Sequence, residues 1–381
     1  MASRPSNPFR YGDLALDEAF TDREQEVEEL RSDALNGQNV VVFAPRRYGK
    51  SSLVWRVVQQ LIEEGALVAQ VDLMKTPTKE KLAEKLAEAV YELASTLFKV
   101  RERAVGLFRG LRVAPVMTID PDDASVGFSF AGGREEDVDA TLERLLQLPA
   151  QLAAEQRRRA VLVFDEFQEV TEIDERLPAL MRSIFQEQPE VAHVYLGSKR
   201  SMMEAIFNDE NEPFWRSAKQ IELDVIAPAL FRPYITSRFE STQRHVEDDV
   251  VTRVLEMTRG HPYGTQELCY FLWEEVAERE TATLDELDAA VANVLRSENA
   301  HFTRIWEKAA KSHRLVLQAL ASEPLQPFTD EYRRRHGLPA PSTTQKALAT
   351  LVEDELVVKE RRGDYRIAEP FFAEWVLRYG S

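Results

Sequence analysis

Residues 44–51 read Ala44-Pro45-Arg46-Arg47-Tyr48-Gly49-Lys50-Ser51. They lie between an apolar run, Val40-Val41-Val42-Phe43, and a segment with helical spacing, Ser52-Leu53-Val54-Trp55-Arg56-Val57-Val58. A strand, a tight loop closing on Gly-Lys-Ser and a helix form a phosphate cradle, because the N–H groups of the loop and helix N-terminus converge on an anion. In this pattern Lys50 reaches the β- and γ-phosphates of a nucleoside triphosphate and Ser51 holds Mg2+ through its hydroxyl. Gly49 lets the backbone approach phosphate where a Cβ would intrude. The pattern usually begins with Gly, and here that position is Ala44. The residue before a proline favours extended backbone, which Ala tolerates. A solvated basic turn is the bland alternative.

A second stretch weighs against that alternative. Ala160-Val161-Leu162-Val163-Phe164-Asp165-Glu166 is an apolar run ending in two acids. It reads as a strand buried on both faces, and parallel sheets place ligands at the C-terminal ends of such strands. Asp165 is expected to hold Mg2+ through water, and Glu166 to orient and deprotonate the attacking water.

With 381 residues, the chain should form two or three domains. Its single cysteine, Cys269, excludes an internal disulfide and fits a reducing compartment. No apolar run is long enough to span a bilayer, and the N-terminus has no signal-peptide core, so a cytoplasmic protein without a membrane partner is expected. The formal net charge of −17 argues against a surface coated in nucleic acid. Residues 311–381 differ, with 11 Lys+Arg against 10 Asp+Glu, which leaves about −18 on the rest of the chain. That tail is the segment whose charge could suit DNA.

Along the chain, an exposed helix begins beyond a polar cap near Thr21. Strands are expected at 40–43, 67–73, 161–164, 193–196 and 220–223. Helices at 79–98 and 137–158 separate them, which predicts an α/β parallel sheet covered on both faces. Residues 112–120 and 125–130 flank Pro121-Asp122-Asp123-Ala124 and predict a β-hairpin inserted near 112–131. It is either packed on its own domain or a contact for a neighbouring subunit or DNA, since Lys99, Arg101, Arg103, Arg109 and Arg112 precede it. From 248 to 304 the pattern is helical, broken by Arg259-Gly260-His261-Pro262-Tyr263-Gly264. Helices at 313–322, 330–336 and 342–354, strands around Arg361-Arg362-Gly363 and a last helix at 370–379 make a winged helix. The expected domains are a P-loop ATPase domain at 1–230, including a leading segment, a helical lid at 231–310 and a winged helix at 311–381.

Together these motifs resemble the archaeal-type ATPases, a family with bacterial members inside the wider AAA+/STAND P-loop class. The resemblance rests on Phe20-Thr21-Asp22-Arg23-Glu24, Pro45 to Ser52, Phe164-Asp165-Glu166-Phe167-Gln168, Leu196-Gly197-Ser198 with Met202-Met203, and Gly260-His261-Pro262. It covers nearly the whole chain. Some relatives carry a nuclease-like domain after the winged helix, which is not expected here. The resemblance implies an ATP-binding and hydrolysing switch, with nucleotide contacts from Ala44 to Ser52 and at His261 and Pro262. It implies that Ser198 senses the γ-phosphate, the alternative being an ordinary strand-end serine. Arg216, before the fifth strand, matches an arginine finger reaching a neighbouring subunit's nucleotide, the alternative being a surface ion pair. His261 matches a lid residue reading nucleotide state, the alternative being a satisfied core histidine. No arginine is identified at the usual second-sensor position.

In the winged helix, Thr343, Thr344, Gln345 and Lys346 would begin the recognition helix, and Lys359, Arg361 and Arg362 would form the wing. These residue types suit base-edge and phosphate contacts with double-stranded DNA. Glu353, Asp354 and Glu355 follow closely, so a protein-contact or autoinhibitory module is the competing reading. Three uses remain: a DNA-associated ATPase akin to origin-recognition loaders or transposition regulators, a STAND-type signalling switch that oligomerises on a trigger without DNA, and a nucleotide-binding scaffold with little turnover; a homo-oligomer is expected in the ATP state.

Overall fold

The computed structural model describes residues 6–12, 20, 23–97, 106–119, 124–131, 134–323, 328–359 and 364–380. The chain forms two compact units. The sheet unit contains Arg23–Pro45 and Leu53–Leu223, and the helical unit contains the N-terminal residues, Arg46–Ser52 and everything from Asp224 onward.

In chain order the sheet unit carries α1 (Glu24–Leu35), β1 (Val40–Phe43), α2 (Lys50–Glu63), β2 (Leu67–Asp72), α3 (Lys79–Leu97), β3 (Val113–Ile119), β4 (Ala124–Phe130) and α4 (Glu135–Gln156). There follow β5 (Ala160–Asp165), α5 (Val170–Ile173), α6 (Leu177–Phe185), β6 (Val191–Gly197), α7 (Arg200–Asn208) and β7 (Lys219–Glu222). The first turn of α2, through Ser52, groups with the helical unit. The sheet order is β2-β5-β6-β1-β7, parallel throughout. Burial explains the apolar runs. β1 and β6 are buried along their whole length, whereas edge strand β7 is mostly exposed and β2 alternates. Phe164, Phe167, Tyr195, Phe207 and Phe214 pack as one aromatic group at the sheet's centre.

The expected hairpin forms, with β3 and β4 antiparallel. It packs on its own unit: Phe128 is buried against Phe108 and Tyr91, and Glu84 of α3 accepts the Phe130 N–H at 2.8 Å. Lys99, Arg101, Arg103 and the cap expected near Thr21 lie outside the described residues.

The helical unit continues with α8 (Pro228–Glu240), β8 (His245–Val246), α9 (Asp248–Thr258), α10 (Pro262–Glu275), β9 (Thr281–Ala282) and α11 (Leu284–Lys308). The winged helix follows as α12 (Lys311–Ser322), α13 (Asp330–Arg335), α14 (Pro341–Glu353), β10 (Val357–Lys359), β11 (Tyr365–Ile367) and α15 (Pro370–Tyr379). Its two strands pair antiparallel. Lid and winged helix share a single hydrophobic core that runs from Phe231 and Trp273 to Leu348 and Phe371. Phe302 of α11 meets Phe372 of α15 at 5.4 Å, and Trp375 Nε1 donates to Asn299 at 2.9 Å. By contacts, the chain passes from the sheet unit to the helical unit at 223/224. Among the described residues no helix is long and apolar enough to cross a membrane.

Candidate functional site

The phosphate loop joins β1 to α2, as the motif requires. Its backbone alternates in hand. Arg47 has φ +67 and Gly49 φ +84, whereas Arg46, Tyr48 and Lys50 are not among the positive-φ residues. Alternating hand turns successive N–H groups toward one side and makes an anion nest. A Cβ at Gly49 would meet nothing within 4 Å, so the space beside it is open. Lys50 and Ser52 are buried and Ser51 is exposed at the start of α2, where the helix dipole favours an anion. These residues fit a triphosphate. Ala44, in the consensus glycine position, is buried, and its N–H donates to Gly197 O at 3.3 Å. Pro45 follows at half-burial.

A left-handed backbone costs a non-glycine residue about 1–3 kcal/mol. At Arg47 the side chain is fixed from the helical unit: Nη1 donates to Glu369 Oε1 at 2.7 Å and the guanidinium lies 4.3 Å from the Tyr263 ring centroid. Arg46 pairs with Glu355 at 2.9 Å. Tyr48 is buried, and its hydroxyl accepts a hydrogen bond from Arg366 Nη2 at 3.1 Å. Sequence reasoning missed these winged-helix partners, because pairs more than 300 positions apart leave no local pattern.

His261 is buried at the N-terminus of α10. Its Nδ1 accepts the Gly264 N–H at 3.0 Å, and its ring meets Tyr48 edge-on at 5.0 Å. Burial, reinforced by Arg366 and Arg47, pushes its pKa down to about 3, so the ring is neutral. In this structure it caps a helix and props the loop, and Pro262 supplies the first helical turn. Behind the loop lies an acidic group. Glu267 is fully buried, and among the described residues no donor reaches its carboxylate oxygens. Burial, then Glu298 and Glu369, push it up to about 9. Burial also raises Glu369 to about 7, although Arg47 opposes the shift.

In the sheet unit, the C-terminal ends of β5 and β6 bring Asp165, Glu166 and Ser198 together. Ser198 is buried, and its hydroxyl donates to Glu166 Oε2 at 2.9 Å. Gln168 Nε2 donates to the same oxygen. Gln168, quoted in the motif without a role, is fully buried, and its Oε1 has no partner among the described residues. Asp165 Oδ1 accepts the Glu166 N–H at 2.9 Å, and Glu166 has φ +51. A Cβ at Gly197 would lie 2.3 Å from Met203 Cγ, so a larger residue there would force the Met203 side chain to move.

Arg216 is exposed with φ +50, and its guanidinium lies 5.1 Å from the Trp215 ring centroid. It makes no ion pair among the described residues. In α14, Thr343, Gln345 and Lys346 are exposed. Thr344 is fully buried, and its hydroxyl donates to Pro339 O at 3.2 Å, so its expected place on a DNA-facing surface is corrected to a buttress of the helix start. Lys359 is exposed at the end of β10, and Arg361 and Arg362 lie outside the described residues.

Comparison with known proteins agrees with this architecture. A family model described as an ATPase domain predominantly from Archaea matches residues 20–268, and one for a winged helix domain matches residues 300–378. No curated protein matches significantly. Among solved structures, a Walker-type ATPase of Pyrococcus abyssi is 18% identical with a TM-score of 0.66, over 96% of this chain and 97% of that one. The Aeropyrum pernix ORC2 protein, solved with ADPNP and ADP, is 14% identical with a TM-score of 0.54, over 98% and 97%. The Aeropyrum pernix ORC1 protein, solved with DNA, is 16% identical with a TM-score of 0.50, over 98% and 97%.

Proposed function

Because the chain belongs to the family of ATPase domains found predominantly in Archaea, we propose that it is a Mg-ATP-driven switch acting on double-stranded DNA through its winged helix. ATP binding and hydrolysis follow from the family and from the P-loop fold. The DNA assignment rests on one observation above others. The N-terminal end of α14 presents Thr343, Gln345 and Lys346 to solvent, with Lys359 exposed on the wing strand. The Aeropyrum pernix ORC1 structure, whose fold this chain shares, contains DNA.

In this reading the loop N–H groups and Lys50 would bind the phosphates, and Ser51 and Asp165 would hold Mg2+. Bound there, the ion would neutralise charge on the phosphate oxygens. Glu166 takes a proton from the attacking water, while Ser198 and Gln168 fix the plane of its carboxylate. Arg216 is offered to a neighbouring subunit, which makes the active form a homo-oligomer. The buried thiol of Cys269 suits a cytoplasmic setting.

The contacts of Arg46, Arg47 and Tyr48 with the winged helix favour a second reading, a signalling switch triggered by a protein partner. ATPase rate with and without duplex DNA, with mass in solution recorded, separates the two. DNA stimulation that falls steeply with salt supports the first. No binding to DNA at low salt with ATP present removes it.

A further inference from the structure

The phosphate nest requires a left-handed residue at position 47, and the chain has an arginine there rather than a glycine. Its conformation is secured from the far end of the chain. The guanidinium is tied to Glu369 and lies over Tyr263. The next residue, Tyr48, is held by Arg366 and abuts His261. Rotating residue 47 back to the right-handed region would break these contacts together. Glu369 in turn is favoured by the arginine, because its other charged neighbours among the described residues, Glu298 and Glu267, are acids.

We propose that Glu369, with Arg366, is a positioning residue for the nucleotide reaction: the winged helix holds Arg47 in the left-handed form that the phosphate nest demands and so sets the fraction of molecules ready to bind nucleotide. Apparent affinity falls with the fraction of competent molecules. By reciprocity, a nucleotide that fixes the nest tightens the winged helix's hold on the loop. Whatever displaces the winged helix therefore loosens nucleotide. The inference rests on nucleotide binding at this loop and adds the device that prepares the loop.

The test uses the full chain and the affinity for a fluorescent ADP analogue, alongside steady-state ATPase kinetics. Glu369→Gln, which keeps shape and removes charge, should raise Kd and KM about fivefold and leave kcat within about twofold. The decisive comparison is at residue 47. Arg47→Ala and Arg47→Gly both lose the ion pair, but only glycine adopts the left-handed form without strain. Arg47→Gly should therefore bind at least about threefold tighter than Arg47→Ala, and adding Glu369→Gln to Arg47→Gly should change nothing further. Equal losses for Ala and Gly would mean that the guanidinium itself serves the phosphates, and would overturn the proposal. Unchanged or tighter binding by folded Glu369→Gln would overturn it too. Lys50→Ala in the same assay tests the underlying reading: if it binds like the parent, nucleotide is not bound at this loop, and the failure lies there.

Discussion

Ser198 Oγ stands 2.9 Å from Glu166 Oε2, a hydrogen bond across 32 positions of sequence that joins the end of β6 to the end of β5. The serine thus supports the expected catalytic carboxylate whether or not it also meets a phosphate. Glu166→Gln should bind ATP like the parent and hydrolyse it ~10²–10⁴-fold more slowly. Ser198→Ala should lower kcat by a smaller factor, about tenfold. Parent-rate turnover by Glu166→Gln would assign the water to another residue.

Lys50→Ala should weaken ATP binding at least ~10-fold, about 1.4 kcal/mol, because the nest keeps its amides but loses its cation. Calorimetric titration of the folded variant measures this directly.

Arg216→Ala should depress hydrolysis if the exposed guanidinium completes a neighbour's site. Mixing it with Lys50→Ala subunits is the sharp version, since those lend an arginine but cannot use their own loop. Activity should return in the mixture. A normal rate for Arg216→Ala alone would confine the residue to its stack on Trp215.

The share of stability held by Glu267 and Glu369 should fall as pH rises from about 5 to 9, while buried neutral His261 adds an opposite, rising share that is complete above about 6.5. Glu267 and Glu369 have folded pKa values of about 9 and 7, raised from 4.5 first by burial. Between the unfolded and folded values the native state holds protons that the unfolded chain has released, so acid favours folding. That contribution is complete below about pH 4.5 and is lost as pH climbs through 7 for Glu369 and 9 for Glu267. Glu267→Gln imitates the protonated acid and should melt roughly 5 °C above the parent at pH 9, with little difference at pH 5. Parallel melting curves across that range would show that Glu267 is not the group responsible.

Gly260→Ala should destabilise the protein by roughly 2–4 kcal/mol. Gly260 has φ +71, and a Cβ there would lie 2.0 Å from Ile226 O, whose own N–H donates to Gly260 O. Thermal unfolding measures the loss, and the lid is where local exchange should rise first.

Much of this architecture was legible because it is written locally. All five sheet strands fall within two or three residues of expectation, since each is an apolar run bounded by turn residues. The winged helix shows equally well in the spacing of residues 311–381. The loop and the acidic strand end announced themselves by composition at fixed spacing. What stayed hidden is pairing at long range. Nothing around Glu369 or Arg366 marks them as partners of Arg47 and Tyr48, and Glu267 reads as an ordinary surface acid on a helix. Thr344 misled for the opposite reason: its residue type suits DNA, but the helix turns it inward. The packing of α11 into one core with the winged helix was not legible either, because change of pattern along a sequence does not reveal shared burial.

The distance along the chain between Arg47 and Glu369 has a consequence for synthesis. They lie 322 positions apart. At roughly 5–20 residues per second, on the order of half a minute passes between making the loop and making its clasp. A chain released early carries the whole motif, Lys50 included, yet lacks the residues that set it. If the clasp sets the loop, competence for nucleotide waits on the synthesis of Arg366 and Glu369, long after Lys50 has been made.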